Sequence, residues 1–305
     1  MAASGMIKSG FVSIIGLPNA GKSTFLNAVI NYKIAITSKK PQTTRKNLKG
    51  IYNDSESQIV FVDTPGIHDV KNKLDEFMSK SIKKSIEDID LIIVIVDALT
   101  YKTDNYEKLN KILLNRNITS FLLINKCDKC KTEKNELISE VLAKFESKIK
   151  FSETIFISAL KNDNINDCLT LIKNYLPNGE RYYNEDDLTD EPLKEIVADM
   201  IRQQCLYKLD KEIPHGVAII IEGMKFSKNK CMNIDANIIC EKDSHKGIII
   251  GEKGSMIKNI GTGARIAIEK FLGKKVNLKL NVLVKTNWRD EKTLLYNYGY
   301  DINAL

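Results

Sequence analysis

Gly16-Leu17-Pro18-Asn19-Ala20-Gly21-Lys22-Ser23 is the stretch on which the reading of this 305-residue chain turns. Its spacing is GxxxxGK[ST]. An apolar run at residues 11–15 precedes it and an amphipathic stretch at 22–30 follows, so it joins a strand to a helix. Glycines let the backbone wrap closely, so that successive N–H groups turn inward around phosphate. The helix N-terminus adds the positive end of its dipole. Lys22 is placed to reach the β- and γ-phosphates of a nucleotide, and the Ser23 hydroxyl to coordinate Mg²⁺. Gly16, Asn19, Ala20, Gly21 and Thr24 complete the cradle.

Outward from this stretch, short aliphatic runs recur at residues 59–62, 91–96, 121–124 and 154–157. They are apolar almost throughout, as strands buried on both faces of a parallel sheet are. Helical patterns lie between them, for example at 106–114 and 136–145. Strand–helix alternation predicts an α/β domain with a mostly parallel sheet.

Three more motifs follow strand ends. Asp63-Thr64-Pro65-Gly66 offers a carboxylate for Mg²⁺, and Gly66 offers a backbone N–H for the γ-phosphate. In Asn125-Lys126-Cys127-Asp128, Asp128 can accept from guanine N1–H and its exocyclic amine, which adenine cannot satisfy. Asn125 would act on the Hoogsteen edge of the base or brace the loop, and the Lys126 stem would lie over the base plane. Backbone N–H groups of Ser158, Ala159 and Leu160 could meet guanine O6. A small-molecule kinase or ATPase has no use for Asn125 and Asp128.

Four motifs in this order resemble the translation-factor-like GTPases. The resemblance implies GTP binding and hydrolysis with Mg²⁺, GTP and GDP being the nucleotides. Metal ligands would be Ser23, Asp63 and a switch threonine in Pro41-Gln42-Thr43-Thr44-Arg45, with Thr44 preferred to Thr43. The basic stretch 33–49 around it would shield phosphates, touch RNA or lie in solvent. Lys22, Asn19, Thr44 and Gly66 are the catalytic candidates. Ile67 stands where many switch GTPases carry a glutamine that orients water, so slow intrinsic hydrolysis is expected. In related families an asparagine at the position of Asn19 helps to bind K⁺.

Past Pro177-Asn178-Gly179 the pattern changes. Residues 180–190 are polar and acidic and read as a linker. A helix at 191–209, strands at 216–222 and 232–240 with a turn near 227–230, a short helix at 243–250, a longer one at 255–272 and a strand at 276–284 are then expected. Gly251-Glu252-Lys253-Gly254 separates the last two helices. This order, with its GxxG, resembles a type II KH domain, smaller and α+β, whose loop clamps single-stranded RNA. Ile250, Gly251, Glu252, Lys253, Gly254, Ile257, Lys258 and Arg265 are the RNA-binding candidates, with most aliphatic side chains of the second helix going to the core.

A GTPase domain followed by a KH domain in about 300 residues resembles the Era family of ribosome-associated GTPases. Asn287-Trp288-Arg289-Asp290 extends the likeness. The family implies a monomer that grips the 3′ end of 16S rRNA and serves 30S subunit assembly, with loose association at the inner membrane face. The expected division is 7–176 for the GTPase, 177–190 for the linker, 191–286 for the KH domain and 287–305 for a tail. The competing reading is a membrane-associated signalling GTPase whose second domain recruits a protein.

Charge and composition agree with two anion sites. The net charge is +7, while residues 1–50 alone hold 8 basic and no acidic groups, and residues 246–285 hold 9 basic and 2 acidic. The longest pure aliphatic run, at 91–96, is six residues, against the ~20 that a spanning helix needs. No signal pattern precedes Met6, and the six cysteines lack the partners for a zinc site, so reduced thiols in a cytoplasmic protein are expected.

Overall fold

A computed structural model of the chain describes residues 6–114, 117–227 and 231–301. They form two units. One holds residues up to 35, 44–69 and 78–190; the other holds 36–43, 70–77 and everything from 191.

The first unit is built on strands β1 (Ile7–Gly16), β2 (Leu48–Asn53), β3 (Ser57–Asp63), β4 (Leu91–Asp97), β5 (Thr119–Asn125), β6 (Glu153–Phe156) and the short β7 (Asn178–Gly179). The order is β2-β3-β1-β4-β5-β6, with β7 beside β1. β1, β3, β4, β5 and β6 run parallel; β2 and β7 are antiparallel to their neighbours. Period-two alternation divides each central strand between two cores. Leu91, Ile93 and Ile95 of β4 face one side with Val12, Ile14, Phe121 and Leu123. Ile92, Val94 and Val96 face the other with Ile15, Leu122 and Ile124. Helices α1 (Lys22–Ile30) and α5 (Ile165–Tyr175) cover the first side through Phe25, Leu26, Cys168 and Ile172. Helices α3 (Glu107–Leu113) and α4 (Lys134–Leu142) cover the second through Leu109, Leu137 and Val141, joined by Ile82 near the C-terminus of α2 (Lys73–Lys84). Each such side chain contributes about 1.5–3 kcal/mol by leaving water. The sheet therefore places the C-terminal ends of β1, β3, β4 and β5 along one edge, where ligands of open α/β sheets bind.

One strand and one connecting segment escape the sequence signature. β2 holds Lys49 and Gly50 and sits at an edge, so neither alternation nor a solid apolar run marks it. The acidic stretch expected as a linker is a strap fixed to this unit. Gln58, fully buried, accepts from the N–H groups of Tyr182 (2.6 Å) and Tyr183 (3.0 Å). Tyr182 packs on Phe11 at 4.8 Å, Ile51 N–H donates to Leu188 O, and Lys49 pairs with Asp190 at 2.7 Å. Its polarity reflects an exposed outer face, not freedom.

The second unit runs α6 (Leu193–Lys208), β8 (Ala218–Phe226), β9 (Met232–Cys240), α7 (Asp243–Ile250), α8 (Ser255–Leu272), β10 (Val276–Val284) and α9 (Lys292–Asn297). Its three-stranded sheet is ordered β10-β9-β8. β8 is antiparallel to β9, with an irregularity between Ile221 and Gly223, and β10 is parallel to β9. A parallel pair needs a crossover, and α7, the glycine loop and α8 supply it. Val197 and Ile201 of α6 meet Ala264 and Ile268 of α8 over Ile234 and Ala236. The turn expected near 227–230 falls largely on residues 228–230, outside the described residues.

The segment expected as a tail is part of this core. Trp288 is fully buried, donates its ring N–H to Gly216 O at 2.9 Å, and lies 5.7 Å from Tyr298 and 6.2 Å from Tyr300. Residues 1–5 and 302–305 lie outside the described residues. Segments 36–43 and 70–77 are held in the same unit. Gln203 and Tyr207 each donate to Thr37 O at 2.7 Å, and Leu74 N–H donates to Arg289 O.

Candidate functional site

The phosphate loop leaves β1 through backbone that side chains resist. Gly16 has φ 155° and Gly21 φ 104°. A Cβ on Gly16 would lie 2.4 Å from Ile95 O, and one on Gly21 would lie 2.1 Å from Asn125 Nδ2. Asn19 holds a left-handed φ of 62°. No side chain caps α1, and its first turn holds no acidic residue. The N–H groups there point into the loop, with the dipole behind them.

Lys22 is buried and donates to Gly16 O (3.1 Å) and Leu17 O (3.0 Å), so its ammonium curls back inside the loop. Burial lowers its pKa to about 8, with Asp63 pulling the other way. Asp63 is fully buried at the end of β3. Burial pushes it up to about 6, against the pull of Lys22 and of hydrogen bonds from Ser23 and Thr44. Its Oδ2 accepts from Ser23 Oγ at 2.6 Å and from Thr44 Oγ1 at 3.3 Å; its Oδ1 is buried with no partner. Ser23 and Thr44 hydroxyls are 2.9 Å apart.

Three oxygen-bearing side chains thus converge, one with an orphaned lone pair. Hard oxygen donors and a single carboxylate suit Mg²⁺. Between the two threonines the geometry discriminates. Thr43 Oγ1 is turned to Ser38 Oγ and Lys40 O, both at 2.7 Å, and only Thr44 stands beside Ser23 and Asp63. Gly66 passes against the phosphate loop, where a Cβ would lie 2.9 Å from Pro18 Cα. Ile67 is buried in the core with Ile82 and Ile92 and presents nothing to a water.

The base loops are tied to the phosphate loop. Asn125 is buried; its amide donates to Ala20 O at 2.8 Å, and its Oδ1 accepts from Lys126 N–H (2.8 Å) and Ala159 N–H (3.0 Å). Of the two roles open to it, bracing is the one its geometry performs. The Ala159 N–H, expected at guanine O6, serves this brace instead. Asp128 is exposed and is oriented by the Ser158 hydroxyl, which donates to its Oδ1 at 2.8 Å. Ser158 therefore acts through its side chain, a role its backbone-based expectation missed. Leu160 is exposed.

In the second unit, the loop between α7 and α8 is left-handed at three of its four residues. Gly251 (φ 73°), Lys253 (φ 48°) and Gly254 (φ 78°) make this so. A Cβ on Gly251 would lie 2.7 Å from Met256 Cβ and 2.8 Å from Met256 N. Glu252 and Lys253 are exposed, and α8 begins directly after with no side-chain cap. Lys258 is exposed, while Ile250 and Ile257 are half-buried over Ile249 and Ile260. Ile260 and Ile268 are fully buried core. Arg265 is engaged by Glu269 at 2.9 Å, which also accepts from Val276 N–H. It is thus less available to an anion than its sequence position suggests.

A phosphate loop cross-tied to a loop that can accept hydrogen bonds from guanine defines the class, a P-loop GTPase, here followed by a KH domain. Comparison with known families agrees. A 50S ribosome-binding GTPase model matches residues 11–126, and a KH domain model matches 212–289. GTPase Era of Clostridium kluyveri is 46% identical over 299 residues, covering 97% of this chain and 100% of its own. GTPase Era of Clostridioides difficile is 44% identical over 297 residues, covering 97% and 99%. The crystal structure of Era in complex with MgGDPNP and nucleotides 1506–1542 of 16S ribosomal RNA superposes with a TM-score of 0.91 at 35% identity, covering 97% of this chain and 99% of that one. The chain belongs to the Era family of GTPases and hydrolyses GTP to GDP and phosphate.

Proposed function

We propose that this GTPase is a monomeric, cytoplasmic switch. Its KH unit binds the 3′ end of 16S rRNA, and it acts in assembly of the 30S subunit. The observation that carries this reading is the left-handed Gly251–Gly254 loop opening directly onto the uncapped start of α8, in one chain with a phosphate loop and a base loop that can select guanine. That loop brings backbone N–H groups and Lys253 to a sugar–phosphate backbone, with Ile250 and Ile257 beside it for bases. The relative crystallised with MgGDPNP and 16S nucleotides supports the choice of RNA.

On the nucleotide side, Lys22 stabilises the β- and γ-phosphates. Asp128 selects guanine, and Ser23, Asp63 and Thr44, whose oxygens converge, would hold Mg²⁺. Bound there, Mg²⁺ supplies charge neutralisation to the transferring phosphoryl group. Thr44 would report the γ-phosphate by joining the Mg²⁺ ligands only in the GTP form; its hydroxyl is within reach of Ser23 and Asp63. With Ile67 buried, water is oriented by another group and intrinsic hydrolysis is slow. Asn19, left-handed in the phosphate loop, would help to hold a K⁺ ion, which would supply positive charge to the transferring phosphoryl group. A peripheral contact with the inner membrane face, part of the family resemblance, is checked by co-sedimentation with anionic vesicles. Among the described residues no helix is long and apolar enough to cross a membrane.

One assay separates these parts. Turnover is measured in KCl and in NaCl, with and without a 16S 3′-end oligonucleotide. Faster turnover in KCl supports the Asn19 role, and equal rates sink it. Stimulation by the cognate oligonucleotide alone supports the RNA reading. Crosslinking of the GTP-analogue form in lysate, followed by sequencing, must recover the 16S 3′ end; recovery of unrelated RNA or of protein alone rejects it.

A further inference from the structure

Asp97 ends β4 as the last residue of a buried aliphatic strand, opposite Asn125 in register. It is 5% exposed and paired. Its Oδ2 lies 2.5 Å from Lys126 Nζ, and its Oδ1 accepts from Leu99 N–H at 2.9 Å. The same Lys126 ammonium donates to Asn19 O of the phosphate loop at 2.9 Å. Lys126 itself is held at a left-handed φ of 67° between Asn125 and Asp128. One cation therefore joins β4, the phosphate loop and the base loop.

We propose that Asp97 is a positioning residue for guanine. A lysine stem is flexible and has rotamer entropy to lose when it is fixed. Fixing the ammonium at Asp97 and Asn19 O fixes the stem between them. The stem is then a rigid apolar floor for the base before any nucleotide arrives. A floor assembled in advance raises affinity by sparing the ordering cost on binding. A charged acceptor is also the right partner: its bond to an ammonium is roughly twice as strong as a neutral one. This inference rests on the guanine-nucleotide reading of the site.

Asp97→Asn tests it with little disturbance. The amide keeps one acceptor oxygen, which can serve either Leu99 N–H or Lys126, but not both. Lys126 keeps a third of its side chain in solvent, so releasing it buries no unpaired charge. The expected result is a KM for GTP raised about tenfold with kcat within about twofold, the mark of lost uniform binding. Fluorescent GDP should dissociate about tenfold faster. In a cycle with Lys126→Met, the double variant should match Lys126→Met alone, because Asp97 acts only through that lysine. Multiplying effects, an unchanged KM, or equal losses in kcat and thermal stability would overturn the proposal. Failure of the unaltered protein to bind GDP would instead reject the guanine reading itself.

Discussion

Lys22→Ala is expected to lower single-turnover GTP hydrolysis by about a thousandfold, close to 4 kcal/mol of transition-state stabilisation. The lysine is buried in its loop and already bonded to two loop carbonyls. It is thus pre-positioned, with no solvent shell to shed when charge builds on the phosphates. Burial has brought its pKa down to about 8, which still leaves it mostly protonated at neutral pH. The alanine variant removes this charge and also strips Asp63 of its buried counter-ion. Lys22→Arg should not restore the rate, because a planar guanidinium cannot follow the curl that brings the ammonium to Gly16 O and Leu17 O. Quench-flow measurement at saturating GTP and Mg²⁺ checks this. A loss under tenfold would show that the loop backbone and metal suffice without the lysine.

Changing Gly251 and Gly254 together to Asp should weaken binding of a 16S 3′-end oligonucleotide at least ~100-fold, about 2.7 kcal/mol. The two positions fail for different reasons. At Gly251 any Cβ meets Met256 backbone and side chain below 3 Å, so the loop must move. At Gly254 the nearest atom, Ile257 Cγ2, is 4.0 Å away, and aspartate tolerates left-handed backbone better than most residues. Gly254→Asp alone therefore adds charge with no steric clash, at the strain of a side chain held at φ 78°, and about a tenfold loss is expected, chiefly from repulsion of phosphate. Fluorescence anisotropy at two salt concentrations gives both numbers. Circular dichroism melting shows whether Gly251→Asp acts beyond the loop. Unchanged affinity in the double variant would remove the clamp from this loop.

Much of this was legible without coordinates because the motifs are local. A phosphate loop is eight consecutive residues whose glycines meet backbone demands inside the same turn. The GxxG loop works the same way, and so do the aliphatic strands, whose burial on both faces leaves no polar position. Less legible were features that depend on a distant neighbour. β2 hides its pairing behind Lys49 and Gly50. The acidic strap at 180–190 reads as free because its anchor, Gln58, is more than 120 residues away. Trp288 reads as tail because its partner carbonyl belongs to Gly216, 72 residues earlier.

Spacing and residue type suffice for the class of chemistry, the parallel strands of the sheet and the phosphate, base and GxxG loops, which were therefore legible in the sequence. Side-chain direction came from packing. Packing turned Thr44 and not Thr43 toward Asp63, set Asn125 to bracing, gave Asp128 its partner in Ser158, and put Asp97 against Lys126. The reason is geometric. Adjacent residues of one loop share their composition and spacing, but which side chain points inward depends on backbone torsions. Those torsions are settled only when strands far apart in the chain pack side by side.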